Sequence, residues 1–124
     1  MTDIAWHNVI DRANADGEFR IAARLWNAHV RLDLGANSVR LSIEAGTIRS
    51  AEPCEPDAAC DACISGEADR WERLLAPVPP PLWQDLFGAT ARGDFTIGGD
   101  VEAFFAYYPA MRRLLDLVRE DNRM

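Results

Sequence analysis

Three cysteines, Cys54, Cys60 and Cys63, are the residues whose type and spacing most directly suggest chemistry, because "CDAC" at 60–63 has the C-x-x-C spacing of redox pairs and zinc ligands. A redox pair needs a helix N-terminus to lower the attacking thiol's pKa. A zinc site needs two further ligands, for which only Cys54 and the distant His7 and His29 are available. "AACDACIS" reads more readily as a strand, with Cys60, Ala62 and Ile64 on its inner face. The two thiols of the motif then point to opposite faces. Three packed, reduced cysteines are therefore expected, with no metal and no cofactor.

Other catalytic material is thin. His29 falls on the charged side of an alternating strand pattern and His7 in a first helix, so both read as solvated. No Ser sits in a G-x-S-x-G turn, and "TIGGD" has no following Lys and an acid that repels phosphate. Asp94 and Asp100 flank a short strand, and either could act as a base on an apolar substrate if it were buried. As helix caps or turn residues they need no such role, and no catalytic residue is expected.

With 124 residues, 48% hydrophobic and 27% charged, the composition is that of one globular domain. The formal net charge of -7 and the scattering of 13 basic residues argue against nucleic acid and anionic membrane as partners. "MTDIAWHNVIDR" has acid where a signal peptide has its basic region, and no run is long and apolar enough to insert stably in a bilayer. A cytoplasmic location is expected.

These side chains need positioning elements. Residues 1–26 read as an N-terminal helical segment, with a second piece starting at Asp16-Gly17-Glu18. From Ala28 the apolar period becomes two: Val30, Leu32 and Leu34, then Val39, Leu41 and Ile43 after a Gly-Ala-Asn turn. "EAGT" closes a second hairpin, Pro53 and Pro56 end its strand, and 28–66 reads as a four-stranded meander. A helix pair follows over 67–93 around a proline loop, with Pro81 at the first position of the second helix. A short strand at 94–98 and a C-terminal helix at 100–120, capped by Asp100 and interrupted by Pro109, complete the chain. The fold class is α+β: a five-stranded, mostly antiparallel sheet with helices covering one face.

"WERLLAPVPPPLWQDLFGA", 71–89, sets two Trp and several large aliphatic and aromatic side chains about four prolines. The helix pair would roof the apolar sheet face, and its aromatics would either fill a core or line a space for a ligand. A dry void of about 300 Å³ would cost on the order of 7 kcal/mol, as much as a domain's whole stability. Such a space would not stay empty.

This order of elements, with "ACDACISGEADRWERLL" and "ARGDFTIGGDVEAFF" as its most telling segments, resembles the sterol carrier protein type 2 family over about residues 19–119. The resemblance implies a single-domain member of bacterial type that binds an apolar small molecule in a tunnel between sheet and helices. Fatty acyl, isoprenoid or polyketide-like lipids are the ligand classes it suggests. The lining it implies is Trp71, Leu75, Leu82, Trp83, Leu86, Phe87, Phe104, Phe105, Tyr108 and Met111. It also implies an alternative, an accessory protein docking on a partner enzyme of lipid or quinone metabolism. A small acid/base enzyme using Asp94 or Asp100 is a second alternative. The peroxisomal tripeptide of the eukaryotic carriers is not found at "DNRM".

Overall fold

In the computed structural model, which describes residues 4–122, the period-two stretches form three antiparallel strands: β1 (Ala28–Leu34), β2 (Ser38–Glu44) and β3 (Thr47–Cys54). Val30 pairs with Leu41 and Leu32 with Val39, so one face carries an unbroken apolar surface. Beyond β3 the expected meander fails. Residues 55–61 instead cross the opposite, polar face, held where Arg31 Nη1 donates to the Ala58 carbonyl at 2.9 Å and Arg40 Nη1 to that of Ala59 at 3.1 Å. The chain then enters β4 (Ala62–Gly66) parallel to β1, with Val30 opposite Ala62 and Leu32 opposite Ile64. The physical reason is an accounting of backbone groups: β2 already has two partners, whereas β1 has one open edge beside its most buried side chains. β5 (Thr96–Gly99) pairs antiparallel with β4, giving the order β3-β2-β1-β4-β5. The fold is thus α+β with a five-stranded sheet, antiparallel except at β1–β4. Pro53 does not end β3 but lies within it, tolerated because β3 is an edge strand.

Among the described residues there are six helices: α1 (Trp6–Ala15), α2 (Gly17–Ala22), α3 (Ala68–Leu74), α4 (Leu86–Ala91), α5 (Val101–Ala106) and α6 (Tyr108–Asp121). Asp16 caps α2 as its sequence suggests, accepting from the Phe19 N–H at 2.8 Å, and also receives two Arg113 donors at 2.9 and 3.0 Å, tying α2 to α6. The second helix of the roof does not begin at Pro81. Consecutive prolines disfavour helical geometry in the residues before them, Leu82 adopts φ 73°, and α4 starts only at Leu86. The C-terminal segment is two helices that meet at Tyr107, with Pro109 in the first turn of α6 where its missing N–H costs nothing.

α6 is fastened to the roof by polar side chains that reach backbone carbonyls. The buried Arg119 donates to Leu74 at 2.7 Å and to Trp83 at 3.3 Å, and Asn122 donates to Leu75 at 2.9 Å. Trp71 adds a 2.7 Å bond from its indole N–H to the Asp33 carbonyl, linking α3 to β1. Beneath these ties Leu74, Ile64, Leu114 and Val118 are completely buried in one core.

Candidate functional site

The sheet–helix layer is not closed along its whole length. Where β1 and β4 begin and α5 starts, a recess of ≈ 150 Å³ opens at the surface over the buried Trp26, Val30, Ala62 and Phe104, bordered by Ala28 and Tyr107 and rimmed by Asn27, Asp61, Asp100 and Ala103. Local backbone geometry sets this mouth. Trp26 is carried on a turn after α2, its N–H bonded to the Ala23 carbonyl at 2.8 Å and its own carbonyl to the Gly46 N–H at 3.0 Å. Gly46, at φ 76°, allows the β2–β3 turn to approach that closely; a Cβ there would sit 2.7 Å from the Ala23 oxygen. The Trp26 ring then stacks on Tyr107 with centroids 5.3 Å apart and planes 9° from parallel.

The opposite rim is held by Asp61. Its N–H donates to the His29 carbonyl at 2.8 Å, its carboxylate accepts from the His29 N–H at 2.7 Å, and its carbonyl accepts from the Asp100 N–H at 2.8 Å. Gly99, at φ 81°, passes so close to the Asp61 carbonyl that a Cβ would collide with it. Asp100 caps α5 by accepting from the Ala103 N–H at 3.0 Å. Asp61 and Asp100 thus stand at the mouth of an apolar recess, each with one carboxylate oxygen engaged.

Of the residues expected to line a tunnel, Phe104 lines this cavity. Trp71, Leu75, Leu86, Phe104 and Met111 are all buried in the common core. Trp83 is partly buried, edge-on to Phe95 at 6.3 Å, with the Arg73 and Arg92 guanidinium groups 5.5 and 5.1 Å from its ring centre. Phe105 and Tyr108 are partly buried, while Leu82 and Phe87 are 70% and 56% exposed. Phe87, Phe105 and Phe104 form an edge-to-face series at 6.1 and 5.5 Å that runs from the surface to the cavity wall. The Tyr108 hydroxyl donates to Asp85 and accepts from the Phe87 N–H at 2.8 Å; burial, reinforced by the bond to Asp85, pushes its pKa up.

Trp26, Tyr107 and Asp61 escape a reading of the sequence. Trp26 has the spacing of an ordinary core residue of the first helical segment, Tyr107 comes from the other end of the chain, and Asp61 sits inside "CDAC". Nothing local signals that they share a rim.

The polar face of the sheet carries a second cluster. Asp33 accepts from Ser65 at 2.6 Å, Ser38 at 2.7 Å and Arg31 at 2.9 and 3.2 Å. Burial opposes its charge, but these donors prevail and hold its carboxyl below the ordinary aspartate value. Cys60 and Cys63 do not diverge across the sheet as expected. β4 starts only at Ala62, so Cys60 belongs to the crossing segment, and both thiols lie within electrostatic range of Arg31. Burial pushes the Cys60 thiol up despite that arginine, and Cys54, Cys60 and Cys63 are free. Among the described residues no group of three or more His, Cys, Asp or Glu could hold a metal ion. Asp94 pairs with Arg92 at 3.0 Å.

The sequence matches no family model and no curated protein. Solved structures do match. A crystal structure of sterol carrier protein 2 superposes with a TM-score of 0.77 at 23% identity, over 95% of this chain and 96% of that one. A Thermus thermophilus protein, TT1886, described in connection with sterol carrier protein, gives 0.73 at 24% identity over 97% and 88%. A UbiJ-SCP2 ubiquinone synthesis protein gives 0.58 at 16% identity over 90% of each chain. The chain has the sterol carrier protein 2 fold, and the α+β class with a five-stranded, mostly antiparallel sheet expected from its sequence is the one found. Among the described residues no helix is long and apolar enough to cross a membrane.

Proposed function

We propose that this chain binds and carries an apolar small molecule, without catalysis, in the layer between sheet and helices, and that the Trp26–Tyr107 mouth is its way in. The observation that carries the reading is the cavity itself: an apolar recess floored by Val30, Ala62 and Phe104 that opens between the sheet and α5. The likeness to sterol carrier protein 2 supports it. The recess of ≈ 150 Å³ is about half the ~300 Å³ at which ligand pockets begin. Its floor of Val30, Ala62 and Phe104 is buried, so a ligand enters only if α5 and the Phe104–Phe105 pair move outward.

Native mass spectrometry of protein purified from cells, before and after organic extraction, tests this. The expected result is a mass excess that extraction removes and that an uncharged fluorescent alkyl probe then replaces saturably. A protein with neither a bound species nor saturable uptake would end the carrier reading.

A second reading has its own observation. Val78 and Leu82 are 78% and 70% exposed on the proline loop and Phe87 56% exposed beside it, an apolar strip suited to a partner enzyme. The likeness to a UbiJ-SCP2 ubiquinone synthesis protein is in keeping with such a role. Co-purification with proteins encoded nearby, lost on Leu82→Ser with Phe87→Ser while probe uptake persists, is the expected outcome for that reading.

A further inference from the structure

The mouth of the cavity has a sign. Its interior walls are apolar, whereas the ionisable residues on its lining are Asp61, Asp100 and Tyr107, with no arginine or histidine side chain among them. Asp61 Oδ2 accepts from the His29 N–H and Asp100 Oδ1 from the Ala103 N–H, which leaves Asp61 Oδ1 and Asp100 Oδ2 to accept from something else. The two residues are also joined, through the Asp100 N–H and the Asp61 carbonyl at 2.8 Å. Each carboxylate swings away only by giving up its own bond, that of Asp61 from the His29 N–H or the α5 cap of Asp100. Arg49 and His29 share the adjoining outer-face groove with Asp61, but Arg49 is paired with Glu44 at 3.9 Å and the His29 Nδ1 lies 3.0 Å from the Ser42 hydroxyl.

An amphiphile entering tail first would therefore bring its head to two fixed carboxylates. A carboxylate head meets like charge and two acceptors with no donor to offer. An amine or a hydroxyl meets acceptors that it can satisfy. We propose that the ligand is an amphiphile whose head group donates hydrogen bonds and carries no negative charge, so that Asp61 and Asp100 select long-chain amines and alcohols against fatty acids. This names the ligand class of the carrier reading above and rests on it.

The test is competition. Ten-carbon amine, alcohol and carboxylate, each below its micelle concentration, are titrated against an uncharged pyrene-labelled alkyl probe bound to the full chain. The expected result is displacement by amine and alcohol at concentrations at least about tenfold lower than by the carboxylate, about 1.4 kcal/mol. In Asp61→Asn with Asp100→Asn, which keeps the cap and the acceptor of the His29 N–H, the gap should shrink to about twofold. Glu55→Gln with Asp57→Asn makes the same change in net charge on the crossing segment and should leave the gap intact. Equal or tighter displacement by the carboxylate overturns the head-group preference. So does a gap that survives the Asp61 and Asp100 changes, or one that shrinks equally in the Glu55 and Asp57 control. In these three outcomes the probe still binds and the carrier reading stands; failure of the probe to bind at all removes both.

Discussion

The helix layer meets the sheet in two ways. Beneath α3 and α6 the contact is sealed, and polar side chains tie the layer to backbone carbonyls: Arg119 to Leu74 and Trp83, Asn122 to Leu75, Trp71 to Asp33. At the α5 end the same kinds of apolar residue enclose a cavity, and the ties are the Trp26–Tyr107 stack and one backbone bond between Asp100 and Asp61. Apolar composition does not distinguish the two regions. What differs is whether opening them would strand buried hydrogen-bonding groups, which is costly, or only slide aromatic faces apart. Under the carrier reading, such a molecule would open at one end and keep its core.

The comparison breaks most visibly at the sealed end. Leu114→Ala empties a fully buried site in the middle of α6 and should cost about 2 to 5 kcal/mol, read as a lowered urea midpoint. A loss under about 1 kcal/mol would show that this end is as loosely packed as the other. Arg119→Met keeps much of the side chain's volume but removes the donors to Leu74 and Trp83. Orphaning those carbonyls should cost about 1 to 3 kcal/mol. The loss should come without a change in probe uptake at the mouth.

How much of this contrast the sequence discloses depends on the range of the interactions. The hairpins are legible because Val30, Leu32, Val39 and Leu41 alternate within a few residues of their turns. Asp16 and Asp100 are legible as caps because a cap is local chemistry. The crossing at 55–61 is not: "AACDACIS" alternates like a continuous strand, and only the open edge of β1, chosen by pairing at long range, decides that β4 starts at Ala62. The start of α4 is misread for a different reason. Pro81 satisfies a local rule for a first helical position, but the Pro run and Leu82 at φ 73° leave the chain irregular up to Asp85, whose carboxylate is used by Tyr108. Apolar stripes identify Phe87 and Phe104 equally, yet one is 56% exposed and the other 2%. A short helix buries only what its neighbours cover.

Acid should loosen the molecule selectively. Asp16 has its carboxyl lowered first by the Arg113 hydrogen bond, and Asp33 has its own lowered by Arg31, Ser65 and Ser38 against the cost of burial. Both fold with pKa values below the 3.8 of the unfolded chain. As pH falls, the unfolded state takes up these protons first, so the stability they contribute is complete above that value and is lost as pH falls through the folded pKa values. Urea midpoints between pH 6 and 2.5 should therefore decline mainly below about pH 4, and Asp16→Asn with Asp33→Asn should flatten the decline. An unchanged slope in that variant would place the acid sensitivity elsewhere.

At the open end Tyr107→Leu removes one face of the stack on Trp26. It should cost about 0.5 to 1.5 kcal/mol of stability beyond its change in buried area, while weakening probe binding several-fold. Loss of stability without loss of binding would make the stack a structural strut rather than a wall of the mouth.

The smallest effect should belong to Phe87. It touches Phe105 edge-on at 6.1 Å and Tyr108 at 6.4 Å, but with its side exposed it has surrendered little water contact on folding. Its N–H bond to the Tyr108 hydroxyl survives any side-chain change. Phe87→Ala should thus cost no more than about 1 kcal/mol, against about 3 to 5 kcal/mol for Phe104→Ala in the same helix layer. If Phe87 belongs to a partner-facing strip, its truncation should leave probe uptake unchanged and raise the protein's solubility, since exposed apolar area is removed. Should it instead fold inward over a bound ligand, probe affinity would fall in Phe87→Ala while the urea midpoint stayed put. Phe87 would then belong to the mouth, and the open region would extend along the aromatic series from Phe104 to the proline loop.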